Sequence, residues 1–546
     1  MANFSSSVML GDLNDFISPS QACINPLFVG GDKKNKNENQ TPPQDSASGG
    51  IGLPKIGLVI ENDFNTVELS APVVQKVAPA PMKPDLIKST EKKTAKVSLT
   101  DCLACSGCVT SAETVLIEQQ STSEFLTSIQ SSKYAQVVVT LSYQSLASLA
   151  THFGCSSVEI KNKLEAFLAT LGVTHTIDTS CASDFALLET AGEFVQKYKN
   201  RMNQSAEASA PKMPILSSAC PGWICFAEKR HPEVLPYISS TMSPQEISGV
   251  LVKRFMTKIH GVDSSKVYHC TVMPCPDKKL EASRQDFYNP DALSNDVDCV
   301  LTTNELLQLL TERGINSLNS FPVNDRQDAM EIEGNPLSLE DLSTCSVEGN
   351  RLVSAVSSNG GSGGYLDFVF RYAAKELFNV EIKKEVLPLK RGRNVDMKTI
   401  ELRVGDKVVL NFAMAYGFRN IQSIIRQMKR KKCQFDFVEI MACPGGCLNG
   451  GGQIKASDPM ENNSPELLSN GISSMEAKLS EKESNRILLE KVRSEFHNRS
   501  IRETSKNQIL LRIYSELVGG DPYSAKARKL LHTQYHEVTA TESFAF

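Results

Sequence analysis

The sequence predicts an α/β protein with two parallel-sheet lobes that enclose a crevice, preceded by a small cysteine-rich amino-terminal domain. Short apolar runs alternate with helical segments through most of the chain. Several of these runs end at a cysteine that has Pro or Gly beside it. Regular alternation of this kind is typical of parallel sheets covered by helices on both faces. The cysteines at the strand ends mark the mouth of such a sheet as the place where chemistry is expected.

Composition narrows the class of protein. A chain of 546 residues is long enough for two or three lobes, and a hydrophobic content of 41% is typical of soluble globular proteins. A net charge of −4 with mixed signs predicts no nucleic-acid partner, and the absence of an 18-residue apolar run predicts no membrane span. Asp12 and Asp15, with no Lys or Arg in the first 20 residues, argue against a secretory signal or a transit peptide. Fifteen cysteines, an odd number in a long chain with no predicted secretory signal, favour a reducing compartment and metal-binding thiolates over disulfides.

The amino-terminal part divides into a linker region and a loop. Residues 1–95 include the polar run 31–50 and the Pro- and Lys-rich run 72–95, so this segment is predicted to be flexible. Residues 96–130 form the cysteine-rich loop region.

Residues 131–322 are predicted to form the first lobe. Five short apolar runs read as strands, and helical segments such as DFALLETAGEFVQKYKN and NELLQLLTERG follow two of them. The predicted strands lie at 135–142, 174–180, 213–219, 267–273 and 297–303.

The rest of the chain is predicted to hold the second lobe and a helical end. Residues 323–364 are mostly polar and end in SSNGGSGG, which indicates an insertion or a mobile link. Residues 365–460 contain two amphipathic helices and a strand at 435–441, and form the second lobe. Residues 461–546 are predicted to be a helical wrap and a tail. The tail ends in two aromatics, which either anchor a partner or form a frayed terminus.

The loop contains the run Cys102, Cys105 and Cys108 in a C-x2-C-x2-C spacing. This spacing is typical of a ferredoxin-like loop, in which a tight turn lets three thiolates reach three irons of one cubane. A zinc site is the alternative, although a zinc pair requires only C-x2-C. The position where a ferredoxin places its next cysteine is Ala112, so a fourth ligand must come from elsewhere. Cys23 is the candidate, and an unpaired thiol near a chain end is the alternative.

Four more cysteines follow predicted strands. They are Cys220 in SSACPGW, Cys275 in MPCPDKKLEASR, and Cys443 and Cys447 in EIMACPGGCLNGGGQ. A structural zinc site normally brings two close cysteine pairs, whereas this set has one close pair and two distant single cysteines. The set therefore favours an iron–sulfur cluster held between lobes, with Cys220 and Cys275 on one half-sheet facing Cys443 and Cys447 on the other.

Neighbouring residues are expected to support this cluster. Lys278 lies three residues after Cys275 and is predicted to balance negative charge. Gly446 and Gly450 are predicted to let the backbone approach a bulky cofactor closely. Trp223, the only tryptophan, is predicted to pack in the core. The remaining cysteines lie mostly in apolar segments and are assigned no role: Cys155, Cys181, Cys225, Cys270, Cys299, Cys345 and Cys433.

Taken together, ACPGW, MPCPDKKLEASR and EIMACPGGCLNGGGQ resemble the three cysteine motifs of the iron-only hydrogenase superfamily, and the resemblance extends over about residues 96 to 540. It implies a hydrogenase-like α/β fold in which the four cysteines hold a cubane, with Cys447 at the position that bridges to a two-iron subsite. The sequence departs from hydrogenases at Ala219, where they carry a proton-relaying cysteine, and alanine transfers no proton.

The segments DLNDFISPSQAC and LTDCLACSGCVTSAE resemble a eukaryotic branch, the Nar or nuclear prelamin A recognition factor-like proteins. This resemblance implies two [4Fe-4S] clusters and a non-catalytic adaptor in cytosolic iron–sulfur protein assembly. The implied partners are an early scaffold, a WD-repeat targeting complex and apo client proteins, in the cytoplasm and also the nucleus. The alternatives are an active hydrogenase and an electron-transfer protein. The implied ligands are Cys23, Cys102, Cys105 and Cys108 for one cluster, and Cys220, Cys275, Cys443 and Cys447 for the other.

Overall fold

The computed structural model describes residues 111–203, 212–322, 337–344, 347–348, 351–355, 360–392, 394–456 and 481–538. Cys23 and the Cys102–Cys108 loop lie outside the described residues, and so do Cys345 and the last eight residues. The predictions for those residues stay predictions.

The described strands are β1 (Gln136–Leu141), β2 (His175–Asp178), β3 (Ile215–Ser217), β4 (Val267–Met273), β5 (Tyr288–Asn289), β6 (Ser294–Asn295), β7 (Cys299–Thr302), β8 (Val347–Glu348), β9 (Arg351–Ser354), β10 (Lys390–Arg391), β11 (Met397–Val404), β12 (Lys407–Tyr416), β13 (Phe437–Met441) and β14 (Ser500–Ile501).

The described α-helices are α1 (Ser111–Gln119), α2 (Thr122–Gln130), α3 (Tyr143–Phe153), α4 (Ser157–Leu171), α5 (Ser180–Asn203), α6 (Pro221–Arg230), α7 (Pro244–Gly249), α8 (Thr257–His260), α9 (Asp277–Ala282), α10 (Thr303–Glu312), α11 (Leu339–Thr344), α12 (Tyr365–Phe378), α13 (Phe418–Lys429), α14 (Glu481–His497), α15 (Gln508–Val518) and α16 (Ala525–Leu530).

The first sheet has four strands in the order β2-β1-β4-β7, and all its neighbouring pairs are parallel. Strand β4 is buried along its whole length, and β1 is buried after its first residue. Continuous apolar strands of this kind are typical of parallel sheets with helices on both faces. The predicted strands at 135–142, 174–180, 267–273 and 297–303 are confirmed.

The second sheet has five strands in the order β10-β11-β12-β13-β3 and is mixed. Strands β12, β13 and β3 are parallel, whereas β10, β11 and β12 pair antiparallel. The hairpin of β11 and β12 was not among the predicted strands. Its sequence signal is the alternation of apolar and charged residues in IELRV, followed by Gly405, which has a φ of +61° in the turn.

Strand β3 belongs to the second sheet, because Ile215, Leu216 and Ser217 pair with β13. The expectation that Cys220 and Cys275 come from one half-sheet is therefore wrong. The reason lies in the preceding helix: Phe194 of α5 packs against Phe412 and Phe437 of the second sheet, with ring centroids 4.9 and 5.9 Å away. The chain that leaves α5 continues along the sheet on which that helix is packed.

The carboxy-terminal helices α14, α15 and α16 contribute buried residues to the cores of this body. Glu189 of α5 fastens the carboxy-terminal segment by accepting hydrogen bonds from the Tyr514 hydroxyl and, at 2.8 and 2.9 Å, from His532 Nε2 and the Tyr523 backbone NH. Trp223 is fully buried in the core, as predicted. Among the described helices, none is long and apolar enough to cross a bilayer.

Candidate metal centre

Cys220 lies where β3 meets α6. It is the residue that precedes the helix, Pro221 occupies the first helical position, and the Cys220 backbone NH donates to Ser218 Oγ at 3.1 Å. Proline is favoured there because its fixed φ suits a helix start and its missing NH is not needed. The residue is only 7% exposed. It thus lies at the carboxyl end of a strand and at the amino end of a helix, where the helix dipole favours a thiolate.

Cys275 lies at the equivalent place in the first sheet. It follows β4, has Pro274 and Pro276 on either side, and lies two residues before the start of α9. The Lys278 backbone NH donates to the Cys275 carbonyl at 3.3 Å, which closes the turn. The two distant cysteines therefore come from two different sheets, each at a strand-to-helix junction.

Cys443 and Cys447 lie on the loop after β13, the strand beside β3. The Gly446 backbone NH donates to the Cys443 carbonyl at 3.0 Å, and Gly445 and Gly446 have φ values of +76° and +85°. These conformations are open to glycine at little cost, which explains the CPGGC sequence. The Gly445 backbone NH also donates to Asp396 Oδ1 at 2.9 Å, so the loop is tied to the start of β11.

Glycines allow the loop that carries Cys443 and Cys447 to pack closely against neighbouring backbone. A Cβ atom on Gly450 would lie 2.2 Å from the Pro274 carbonyl oxygen, and one on Gly446 would lie 2.9 Å from the Gly361 backbone. The Gly452 backbone NH donates to the same Pro274 carbonyl at 2.9 Å. The close approach expected at Gly446 and Gly450 is thus made to backbone, and it brings the Cys447 loop against the Cys275 turn.

The thiols of these four cysteines, here called the four-thiol site, affect one another electrostatically. Burial raises the pKa of Cys220 to about 12, with further increases from Asp277 and Cys447. Burial also raises the pKa of Cys275 and of Cys443 well above the usual range, and each is raised further by Asp277 and by Cys220. Neutral thiols are therefore favoured until a positively charged partner replaces their protons.

Ser362 is a contact that the sequence did not predict. Its Oγ lies 2.9 Å from Cys447 Sγ, and its hydroxyl lowers the pKa of that thiol against the larger effect of burial. Ser362 lies in the SSNGGSGG run, which reads as a link because of its small polar residues. The repeated Gly-Gly was the available signal, since close backbone packing also requires glycine.

Lys278 does approach the site, and its charge lowers the pKa of Cys447. Its ammonium is also paired with Glu281 Oε2 at 2.6 Å and contacts Ser243 Oγ at 2.9 Å. Gln245 Nε2 donates to Glu281 Oε2 at 3.2 Å. Lys278 is therefore part of a buried polar network, and its positive charge is largely balanced before any cofactor is bound.

The residues fit a thiolate-bound cluster. No three His, Cys, Asp or Glu side chains in the described ranges are gathered as ligands of a single metal ion would be. A cubane differs from a single ion, because each thiolate binds its own iron at a separate corner. Four thiols that raise one another's pKa, and a cradle that a Cβ would fill, are features that such a cluster requires.

Glu246 lies next to this network, and its carboxyl should make the stability of the fold depend on pH. Burial raises the pKa of its carboxyl to about 8, and the negative charge of Glu281 raises it further. Between about pH 5 and pH 8 the folded protein thus keeps a proton that the unfolded chain has released, so stability should fall as pH rises. Glu246→Gln should remove this loss, so its stability relative to wild type should rise by up to about 1.4 kcal/mol per pH unit across that range.

The measurement is urea unfolding of both proteins at the two pH values, followed by circular dichroism. Glu385→Gln is the matched control, because Glu385 is exposed. Parallel pH profiles of the Glu246 variant and wild type would contradict the prediction.

Comparisons with known proteins agree with this geometry. A family model described as iron only hydrogenase large subunit, C-terminal domain, matches residues 135–451, and one described as iron hydrogenase small subunit matches residues 489–538. The chain belongs to the iron-only hydrogenase-like family.

Curated relatives in this family match almost the whole chain. The cytosolic Fe-S cluster assembly factor narfl of Xenopus tropicalis is 40% identical over 99% of this chain and 98% of its own length. The probable cytosolic Fe-S cluster assembly factor narfl of Dictyostelium discoideum is 40% identical over 98% and 97%, and Protein NAR1 of Arabidopsis thaliana is 39% identical over the same shares. The predicted resemblance to this branch is confirmed.

Solved structures support the fold. An apo [FeFe]-hydrogenase HydA1 variant from Chlamydomonas reinhardtii has a TM-score of 0.57 at 23% identity, covering 76% of this chain and 98% of its own. The HydA(deltaEFG) structure, which reveals stepwise [FeFe]-hydrogenase H-cluster assembly, has a TM-score of 0.59 with the same identity and coverage. At this identity the likeness concerns the fold alone, and it confirms the predicted hydrogenase-like α/β class.

Proposed function

We propose that this protein is a non-catalytic iron–sulfur adaptor in cytosolic iron–sulfur protein assembly. The observation that carries the proposal is the identity of about 40% over nearly the full chain with proteins named cytosolic Fe-S cluster assembly factors. The four-thiol site adds a physical reason, because its buried thiols suit a resident cluster. Partners of the proposed function are an early assembly scaffold, a WD-repeat targeting complex and apo iron–sulfur clients, in the cytoplasm and also the nucleus.

The first proposed cluster is a [4Fe-4S] cubane held by Cys220, Cys275, Cys443 and Cys447. Such a cluster supplies a one-electron redox centre held by four thiolates when it is bound. The chain's own residues stabilise the thiolate forms: the helix amino end at Cys220, the Ser362 hydroxyl at Cys447, and the Lys278 ammonium nearby.

The second proposed [4Fe-4S] cluster is held by Cys23, Cys102, Cys105 and Cys108, which lie outside the described residues. The first described residues support a position for this cluster near the four-thiol site. Helix α1 begins at Ser111, and its Glu113 pairs with Lys229 of α6 at 2.6 Å. Since α6 begins directly after Cys220, the end of the amino-terminal loop is anchored on a helix of the four-thiol site.

Ala219 favours this function over an active hydrogenase. It immediately precedes Cys220 and packs against the hydrophobic core. A methyl group can neither accept nor donate a proton, so this position cannot relay protons to a reacting centre. An electron-transfer role would need the same clusters and differs in its partners.

The test of cofactor content uses protein purified under anaerobic conditions. We expect about eight irons and as many sulfides per chain, from two cubanes, and no hydrogen evolution from reduced viologen. Stoichiometric zinc with little iron would contradict the clusters, and robust hydrogen evolution would contradict the non-catalytic role.

The assembly role is tested in cells depleted of this protein. Activity of a cytosolic enzyme that needs a four-iron cluster should fall, while its mitochondrial counterpart should keep its activity as an internal control. Expression of the wild-type chain should restore the cytosolic activity. Unchanged cytosolic activity after full depletion would contradict the proposed function.

A further inference from the structure

A cleft of about 680 Å³ opens on the second sheet between the start of β11 and helix α13. We call it the arginine cleft. It is lined by Asn394, Val395, Met397, Arg419, Ser423 and Arg426, with Asn420 at its floor. Its lining includes none of the four cysteines proposed as cluster ligands.

The cleft carries positive charge that the described protein does not neutralise. Arg419 and Arg426 are exposed and lie seven positions apart, on one face of α13. Neither guanidinium forms a hydrogen bond or an ion pair with another described residue, and no carboxylate lines the cleft. Arginine presents a planar fork of donors that matches a carboxylate, so two free guanidinium groups along a cleft favour an acidic ligand.

The positive surface continues past the end of α13. Arg430, Lys431 and Lys432 are exposed. Among the described residues, the Lys429 ammonium forms an ion pair with Glu233 at 2.8 Å, whereas the side chains of Arg430, Lys431 and Lys432 form none. Because the whole chain has a net charge of −4, this basic surface is a local concentration rather than an overall property.

The cleft also offers apolar and amide contacts on an ordered floor. Val395 is 67% exposed, which is unusual for a valine, and Met397 lies half-buried beside it. Asn420 donates to the Tyr416 carbonyl at 2.7 Å, and Asn394 accepts from the Asp396 backbone NH at 3.0 Å. The chain on both walls is therefore held by its own hydrogen bonds before a ligand arrives.

We propose that the arginine cleft binds an acidic segment of a partner protein. Carboxylates of that segment pair with Arg419 and Arg426, and one of its apolar side chains covers Val395 and Met397. Charge complementarity supports this occupant, since two unpaired guanidinium groups and an exposed valine match alternating acidic and apolar residues.

The cleft is connected to the four-thiol site by a short route. Asp396, beside Val395, accepts from the Gly445 backbone NH at 2.9 Å. Gly445 lies between Cys443 and Cys447. The inference rests on the proposed function in one respect. The partner that binds the cleft is taken to be a protein that gives clusters to this chain or receives them from it.

The test measures fluorescence anisotropy of a short fluorescein-labelled peptide of alternating glutamate and leucine, mixed with the anaerobically purified full chain. We expect saturable binding that weakens as salt rises. Arg419→Glu with Arg426→Glu should weaken it by about tenfold or more, because reversal replaces attraction by repulsion. Lys258→Glu with Lys266→Glu, two exposed lysines of the first lobe, makes the same double charge reversal and should leave binding unchanged.

Three results would overturn the inference. They are equal weakening by both double variants, equal binding of a glutamine–leucine peptide, and displacement of the peptide by inorganic phosphate at the same ionic strength as an inert salt. The last result would assign the cleft to a small anion.

Iron content and visible absorbance are measured on the same preparations. Weakened peptide binding by the arginine double variant at unchanged iron content supports binding at the cleft. Peptide binding that persists in protein without iron would show that the cleft binds acidic peptides independently of the proposed clusters.

Discussion

Cys443→Ala is expected to remove the proposed cluster of the four-thiol site and to destabilise the fold. Its thiol comes from the second sheet, and the loop that carries it meets the Cys275 turn of the first sheet at Gly450. A cluster bound by thiolates from both sheets links them, and a ligand that binds only the folded state adds to its stability. We expect iron to fall by about four per chain and the free energy of unfolding by about 3 kcal/mol or more.

The matched control is Cys433→Ala. Cys433 is a partly buried thiol ten residues earlier, between α13 and β13, and it is not among the four proposed ligands. It should lose no iron. Iron assays, visible absorbance and urea unfolding under anaerobic conditions provide the measurement.

Cys23→Ala adds a second comparison, because it should remove only the amino-terminal cluster. Its ligand is far away in sequence from Cys102, and closing a long loop costs entropy that a crevice between two sheets does not. Chelators should therefore strip the amino-terminal cluster of the wild-type protein first. Retention of all iron by the Cys443 variant, or loss of both clusters at one rate in wild type, would contradict these expectations.

Gly450→Ala is expected to have the next largest effect. Gly450 has a φ of −63°, which alanine adopts without strain, so the only change is the added methyl group. That methyl would lie 2.2 Å from the Pro274 carbonyl oxygen and 3.1 Å from the Cys447 carbonyl oxygen. The loop must move away from the Cys275 turn, which separates two proposed ligands. We expect a loss of about 1–3 kcal/mol in stability and loss of the cluster from the four-thiol site.

The control for this prediction is Gly405→Ala in the turn between β11 and β12. No atom lies within 4 Å of a Cβ built there, although its φ of +61° imposes a cost of about 1 kcal/mol. This variant should lose a little stability and keep its iron. If Gly450→Ala keeps its iron as well, close packing of the two loops is not needed to hold a cofactor.

Short sequence patterns predicted most of the strands and the turns at which they end. The apolar runs at 135–142 and 267–273 form strands where they were predicted, because a strand buried on both faces reads as an uninterrupted apolar run. The prolines and glycines at Cys220, Cys275 and Cys443 indicated strand ends correctly, since these residues stop regular structure through their own backbone preferences. The family could likewise be inferred from three short motifs.

Contacts between distant segments were decided only by the tertiary structure. Strand β3 joined the second sheet because Phe194 packs there, and no pattern near residue 215 carries that information. Ser362 reached Cys447, 85 residues away, from a run that reads as a link. Lys278 was expected to offset cluster charge, yet Glu281 already holds it at 2.6 Å.

The physical reason is the distance along the chain over which each kind of interaction acts. The sequence by itself determined the fold class and the candidate thiols, because backbone preferences and the apolar period act within a few residues. Packing of helices on sheets decided which thiols lie near one another, at which glycines no side chain fits, and which charges are already paired. Those outcomes depend on atoms brought together across hundreds of residues, and so they follow from the tertiary structure alone.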